Sequence, residues 1–151
     1  MLEAEHKMKL FFPVRPWEDE PDRAEWVHDN GYKCRINRNP ITGTLCGYVG
    51  VPTSNRFFGL NYEYSGIKDL DAVHGGVTYS EKGDDGWWWF GFDTAHADDF
   101  CPKIVEHLLS VGTKDLNFFD CMNYRTWEFV DGEVDFMARW LCSYGEITNV
   151  S

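Results

Sequence analysis

The chain of 151 residues is long enough for a single domain, residues 1–151, and its formal charge is −11, from 25 acidic residues against 14 lysines and arginines. That balance argues against binding to nucleic acid polymers or to an anionic membrane, because phosphate groups are bound by basic patches. Five widely spaced cysteines without a CxxC pair favour reduced thiols over a disulfide framework or a Cys-rich zinc site. Without an apolar run long enough to span a bilayer, the sequence predicts a cytoplasmic protein.

The first third of the chain contains one clear hairpin after an irregular start. We predict irregular structure for residues 1–30. Met1 to Val14 can form a short helix or an edge strand, with a strand ended by Pro13 favoured, and Asp22 can cap a short helix. Tyr32 to Asn37 and Leu45 to Val51 are predicted as paired strands, because the intervening sequence NRNPITGT is rich in turn-forming residues.

A long connection and a second hairpin follow. Pro52 to Asp71 is rich in Asn, Gly and Tyr, and a connection of this length in a small domain is often a functional loop. Ala72 to Ser80 and Gly86 to Asp93 are predicted as the third and fourth strands, joined by the polar loop EKGDD. Thr94 to Phe100 is predicted as a helical turn before a proline.

Helical patterns dominate the last third of the chain. Lys103 to Val111 predicts a short helix, and residues 123–143 predict the main helix, because apolar residues recur there at spacings of three and four. The strands are concentrated in residues 31–99 and precede this helix. The order indicates the α+β class: an antiparallel sheet of about four to five strands with a C-terminal helix packed on one face.

The fourth predicted strand divides its aromatic residues between two faces. Because side chains alternate along a strand, Trp88 and its like-facing neighbours are assigned to the core, which leaves Trp87, Trp89 and Asp93 on the other face. If the third and fourth strands pair, this second face also carries His74, beside the bare backbone of Gly75 and Gly76. An aromatic wall with a histidine and a carboxylate predicts a small-ligand pocket.

A second group of polar side chains follows the fourth strand. Asp93, His96 and Asp99 are spaced three apart, so a helical turn places them along one ridge. Together with His74 they supply imidazoles and carboxylates that can perform acid–base chemistry, or bind a divalent metal and activate water. Three interpretations stay open: helix capping and surface hydrogen bonds, a ligand or catalytic site without metal, and a metal site. The cofactor is therefore unassigned, with a divalent metal as one option.

The remaining polar residues are weaker candidates. Cys46 can meet His74 across strands, but a buried strand cysteine is the more frequent case. Arg35, Arg38 and Arg56 can clamp an anionic ligand from the loops, and Arg56, in the long connection, is our candidate for contacting a phosphate group.

Three strings occur in a fixed order: CGYVGVP at Cys46 to Pro52, VHGGVTY at Val73 to Tyr79, and WWFGFDTAHADD at Trp88 to Asp99. In this the chain resembles a family of small uncharacterised bacteriophage and prophage proteins with the pattern CGYVxVP, HGGxTY and WWxGFDxAHxxD. The resemblance implies a viral accessory protein expressed in a bacterial cytoplasm and implies no activity. Thr94 stands where the family usually has cysteine, and Asp98 where it has glycine, which leaves Asp99 as the matching acid.

These observations lead to three hypotheses about function. The first is a phage accessory protein that binds, and by binding sequesters, a small nucleotide-like ligand in the Trp/His/Asp pocket. The second is a small hydrolase that uses His74 and His96 with Asp93 or Asp99, with or without a metal. The third is an acidic inhibitor that binds a host bacterial protein.

Overall fold

Five antiparallel strands form one sheet in the order β1-β2-β3-β5-β4 in the computed structural model, which describes residues 3–63, 66–67, 73–113 and 117–146. The strands are β1 (Arg23–Val27), β2 (Lys33–Arg38), β3 (Leu45–Val51), β4 (Tyr79–Lys82) and β5 (Trp88–Asp93). The described residues also form the helices α1 (Ala4–Phe11), α2 (Pro102–Ser110) and α3 (Trp127–Gly145), and short 3-10 turns at Pro16–Glu18 and Asn117–Cys121. The prediction of an α+β domain with an antiparallel sheet is confirmed.

The C-terminal helix α3 packs on one face of the sheet, as predicted, and makes the main core there. It begins four residues later than expected, at Trp127, because the side chain of Thr126 caps it by accepting a hydrogen bond from the amide of Phe129. A Cβ atom on Gly47 of β3 would lie 2.6 Å from Val134, so glycine lets the helix approach the sheet closely. The apolar stripe of the helix is fully buried: Val130, Val134, Met137, Ala138 and Leu141.

A second, smaller core lies beneath α1 and α2. Met8 of α1 and Val105 and Leu109 of α2 are buried there against Phe100 and Phe119. Phe100 directly follows the turn at the end of β5. This small core therefore fixes the position of that turn relative to α2.

Residues 3–30 are more regular than predicted, and the structures that we favoured for their two segments are wrong. The strand expected before Pro13 is the helix α1, whose residues are mostly good helix formers with Met8 on the buried side. The helix expected after Asp22 is the edge strand β1. Its exposure alternates from Arg23 to Val27, and it pairs along its whole length with β2, a contact that local propensity does not reveal.

The third predicted strand, Ala72 to Ser80, is also wrong in its first part. Ala72 lies outside the described residues, and Val73 to Thr78 form a loop before β4. Gly75 and Gly76 have φ values of +70° and +77°, a left-handed backbone that ends an extended strand and that glycine adopts readily. The amide of Gly76 donates to the carbonyl of Val73 at 2.8 Å, closing a tight turn that carries His74.

The helical turn predicted for Thr94 to Phe100 is an irregular turn instead. The carboxylate of Asp93 accepts a hydrogen bond from the amide of Ala95 at 3.1 Å, and the amide of Asp99 donates to the carbonyl of His96 at 2.9 Å. These bonds are those of short polar turns. No helix among the described residues has both the length and the apolar character needed to cross a membrane.

Candidate functional site

The buried carboxylate of Asp99 joins two histidines from separate loops. Its side chain is 0% exposed, and its Oδ2 atom lies 2.8 Å from Nε2 of His74 and 3.1 Å from Nδ1 of His96. The backbone amide of His96 donates to the same oxygen at 3.0 Å. The two rings stand edge to face with centroids 5.2 Å apart. The structure thus brings together three of the predicted site residues, through turns rather than along a helical ridge.

Arg125, which we did not predict as a site residue, completes the surroundings of this carboxylate. Its Nε atom donates to Oδ1 of Asp99 at 2.8 Å, and its guanidinium lies 5.1 Å from the centre of the Phe129 ring. The same ring packs edge-on against His74, with centroids 5.3 Å apart. Arg125 precedes α3 directly, so the helix that closes the main core also positions the cation of the site.

The charge state of Asp99 follows from these contacts. Burial alone would raise the pKa of its carboxyl, but hydrogen bonds from Arg125, from the His96 amide and from His74 outweigh it, and the pKa of Asp99 is lowered. Asp99 is therefore an ionised, fully buried carboxylate at neutral pH. An anion in this position orients both imidazoles and can also act as a metal ligand.

Two further carboxyl groups lie beside the histidines. Oδ1 of Asp93 lies 3.4 Å from Nε2 of His96, on the opposite side of that ring from Asp99. Burial raises the pKa of Glu133 on α3, although a hydrogen bond from the His74 amide and the charges of His74 and Arg125 oppose the rise. Glu133, also not predicted, is therefore more readily protonated than an ordinary glutamate, which suits a group that transfers protons.

Gly75 contributes to the site by leaving space for a ring. A Cβ atom on Gly75 would overlap the imidazole of His96, so the glycine backbone packs directly against that side chain. His96 thus occupies the space beside Gly75 on the side where a Cβ atom would lie. Gly76 closes the turn that presents His74.

Trp87 and Trp89 do not line the same pocket as His74, contrary to our prediction. His74 contacts Phe129 on the helix-covered side of the sheet, whereas Trp89 lies on the opposite face, only 3% exposed, with the guanidinium of Arg35 4.2 Å above its ring. Trp87 lies beneath Lys33 at 4.9 Å. The division of the tryptophans between two faces is confirmed, since Phe90 and Phe92 are buried in the main core.

Arg56 also lies far from the two histidines. It is exposed, and its amide donates to the carbonyl of Gly145 at the C-terminal end of α3. His74 contacts Phe129 near the other end of that helix. Sixteen residues at 1.5 Å each place these two ends about 24 Å apart, so Arg56 does not serve the site around Asp99.

An apolar cleft of about 340 Å³ opens beside His96 and Asp99. It lies between the turn after β5, helix α2 and the segment that precedes α3, and its size is at the lower end of the range for small-ligand sites. Six of its lining residues define its character: His96, Asp99, Cys101, Ile104, Leu108 and Met122. A ligand in this cleft would place an apolar group against α2 and a polar group near His96.

A larger hollow of about 590 Å³ elsewhere on the molecule is a weaker candidate site. It surrounds Arg38, whose guanidinium already donates to Asp22, to the carbonyl of Gly43 and to the hydroxyl of Tyr124. Arg38 therefore links these segments of the chain through its hydrogen bonds. This is a structural role and not the binding of an anionic ligand that we considered.

The cysteines near the site are poor nucleophiles. Burial raises the pKa of Cys46 to about 11, with the charge of Asp93 adding to the effect, so its thiol is protonated at neutral pH. Burial and the charges of Asp99 and Asp93 likewise raise the pKa of Cys101. Thr94 is buried and donates its hydroxyl to the carbonyl of Leu45 at 2.8 Å.

Comparison of the chain with protein-family models, with curated proteins and with solved structures gives no match.

Proposed function

We propose that this protein is a small hydrolase that acts on an uncharged, partly apolar small molecule at the site around Asp99. The observation that supports this most is the contrast in exposure within one cluster. Asp99 is wholly buried, while the two imidazoles that it holds, His74 and His96, are 18% and 36% exposed, and His96 borders a cleft. Groups held rigidly from behind and open to solvent in front are suited to proton transfer.

Hydrolysis requires the movement of two protons. A water oxygen adds to the carbonyl carbon while one of its protons passes to a base, and the bond to the leaving oxygen or nitrogen breaks as that atom takes up a proton. The cluster around Asp99 can activate this water in two ways: an imidazole nitrogen can accept its proton, or the cluster can hold a divalent cation. Glu133, which accepts a hydrogen bond from the His74 amide, is our candidate for supplying the second proton.

The charges around the site favour an uncharged substrate. Among the described residues, Asp93 lies beside His96 and Asp98 is exposed on the same turn, and together with Asp99 these carboxylates outnumber Arg125. An anionic phosphate would be repelled by this arrangement, in addition to the overall charge of −11. Carboxylic esters and amides with an apolar acyl group fit the cleft better.

Binding without turnover is our second candidate function, and the apolar cleft beside His96 favours it. Two of the features that led us to expect a nucleotide-like ligand, the tryptophan pair and Arg56, lie away from this cleft. Roles as a phage accessory protein or as an inhibitor of a host protein stay predictions from the sequence.

The test of hydrolysis is a substrate panel with matched variants. The panel contains p-nitrophenyl esters from acetate to hexanoate, the corresponding anilides, and a phosphodiester as the anionic comparison. We expect turnover of the longer esters, lowered by about 100- to 10,000-fold in His96→Gln and in His74→Gln. His107→Gln serves as the control, because His107 is an exposed histidine on α2 outside the site.

The outcomes separate the two candidates. Turnover no faster than the uncatalysed background across the panel, or equal turnover in the wild type and both site variants, would contradict hydrolysis. Saturable calorimetric binding of the same compounds, without turnover and weakened by Leu108→Asn in the cleft, would favour the second candidate.

A further inference from the structure

We propose that Nε2 of His74, Nδ1 of His96 and Oδ2 of Asp99 bind one divalent transition metal ion, of which Zn²⁺ is the ion suited to hydrolysis. This inference rests on the proposed function for its role, but its geometry stands independently. The ligand atoms of these three residues all lie within 4.8 Å of one another. Three protein ligands with an open fourth position are typical of catalytic zinc.

The distances within the cluster are close to those that a metal requires. Ligand atoms bound tetrahedrally to Zn²⁺ lie roughly 3.3 Å from one another. The nitrogen atoms of His74 and His96 stand 2.8 and 3.1 Å from Oδ2 of Asp99. The two nitrogen atoms lie within 4.8 Å of each other, and rotation of the two partly exposed rings would bring all three separations to the distance that the ion requires.

The contacts behind the three ligands are those that hold ligands in place. Arg125 bonds to Oδ1 of Asp99, and Oδ2 lies closest to the imidazole nitrogens, with Nε2 of His74 also 3.0 Å from Oδ1. Asp93 lies 3.4 Å from the second nitrogen of His96, as a carboxylate behind a metal-binding histidine commonly does.

The donor atoms indicate the class of ion. Two imidazole nitrogens and one carboxylate oxygen suit Zn²⁺ and Fe²⁺, whereas Mg²⁺ and Ca²⁺ prefer sites made of oxygen atoms alone. The carboxylate of Asp93, beside the three ligands, adds negative charge that attracts a cation. A bound Zn²⁺ would lower the pKa of its water to about 7 and so supply a nucleophile for hydrolysis at neutral pH.

The test measures metal binding directly and without reference to activity. Tag-free protein is stripped with EDTA and titrated with Zn²⁺ against a chromophoric chelator, and a parallel titration with Co²⁺ is followed by absorption. We expect one equivalent of Zn²⁺ per chain, and Co²⁺ bands without a sulfur-to-cobalt charge-transfer band. His74→Gln and His96→Gln should weaken binding by more than about 100-fold, and Asp93→Asn by about 10- to 100-fold.

Two controls make the result specific. His107→Gln should bind Zn²⁺ as the wild type does, and circular dichroism with thermal unfolding identifies any variant that fails to fold. His96→Gln is the deciding variant if His74→Gln does not fold, because His96 is the more exposed of the two.

The metal titration and the activity assay together distinguish failure of the metal site from failure of the proposed hydrolase function. Absence of stoichiometric binding, binding that survives in both histidine variants, or a sulfur charge-transfer band would each overturn the metal site. Esterase activity that persists in EDTA would then leave the hydrolase proposal standing. Stoichiometric metal binding with an inert protein on the whole substrate panel would support the metal site and contradict hydrolysis.

Discussion

Replacing Asp99 by asparagine should destabilise the fold strongly, although the two side chains have nearly the same shape. The carboxylate accepts hydrogen bonds from Arg125, from the amide and Nδ1 of His96, and from His74. Donors face both of its oxygens, so an amide turned either way directs its NH₂ group at another donor. Arg125 is also left without its counter-ion.

The size of the effect follows from the burial of the partners. Removing one partner of a buried ion pair costs about 3–5 kcal/mol. We expect the lower end, about 3 kcal/mol, because Arg125 and His96 are 24% and 36% exposed and reach water. Urea denaturation at pH 7 with EDTA present should show a lower midpoint with an unchanged m-value. Asp98→Asn is the matched control, since Asp98 is exposed, and should change stability by less than about 0.5 kcal/mol.

The same variant has a defined pH dependence. The pKa of Asp99 in the folded protein is lower than the usual 3.8, so the unfolded chain takes up the proton first as the pH falls. The stabilisation is fully present above pH 4 or so and is lost as the pH falls through the folded-state pKa. The difference between wild type and Asp99→Asn should therefore shrink below about pH 4. Equal stability of the two proteins at pH 7 would refute the role that we assign to this carboxylate.

Three other substitutions or reactions test the surrounding structure. Gly75→Ala should destabilise the protein by more than Gly31→Ala, because both have positive φ but only Gly75 lies against a ring; equal losses measured in urea would contradict the close packing. Gly132→Ala should stabilise by roughly 0.5–1 kcal/mol, since Gly132 is exposed within α3 and a methyl group meets nothing within 4 Å; a lower melting temperature would count against this. In a thiol assay, exposed Cys121 should react well before Cys34, whose pKa burial raises to about 12, and the reverse order would contradict the burial described.

The sequence was most informative where local pattern and tertiary packing agree. Leu45–Val51 was predicted with the bounds that the strand has, because turn residues bracket it and its apolar residues can be buried on both faces. The C-terminal helix was predicted from its apolar stripe, which packs on β3. By contrast, β1 is a strand because it pairs with β2, and its own residues gave no sign of that pairing.

The candidate site was likewise predicted from the sequence only in part. His74, His96 and Asp99 were identified by residue type and spacing, and they converge. They converge for a different reason from the one that we expected. Gly75 and Gly76 turn the chain before β4, so His74 lies on a loop and not on a strand. Arg125 was missed because its bond to Asp99 joins residues 26 positions apart, and a single arginine before a helix carries no local signal.

The most direct test of the account is whether Asp99 holds both imidazoles in solution. Nitrogen-15 NMR of the neutral histidine rings, in EDTA, reports which nitrogen carries the proton. We predict Nε2–H for His74 and Nδ1–H for His96, because each donates to Asp99. His28 provides an internal reference as Nε2–H, since its Nδ1 accepts from the amide of Asn30. Nitrogen-15 signals of His74 and His96 that are averaged between the two tautomers, as in a freely exposed histidine, would contradict the site.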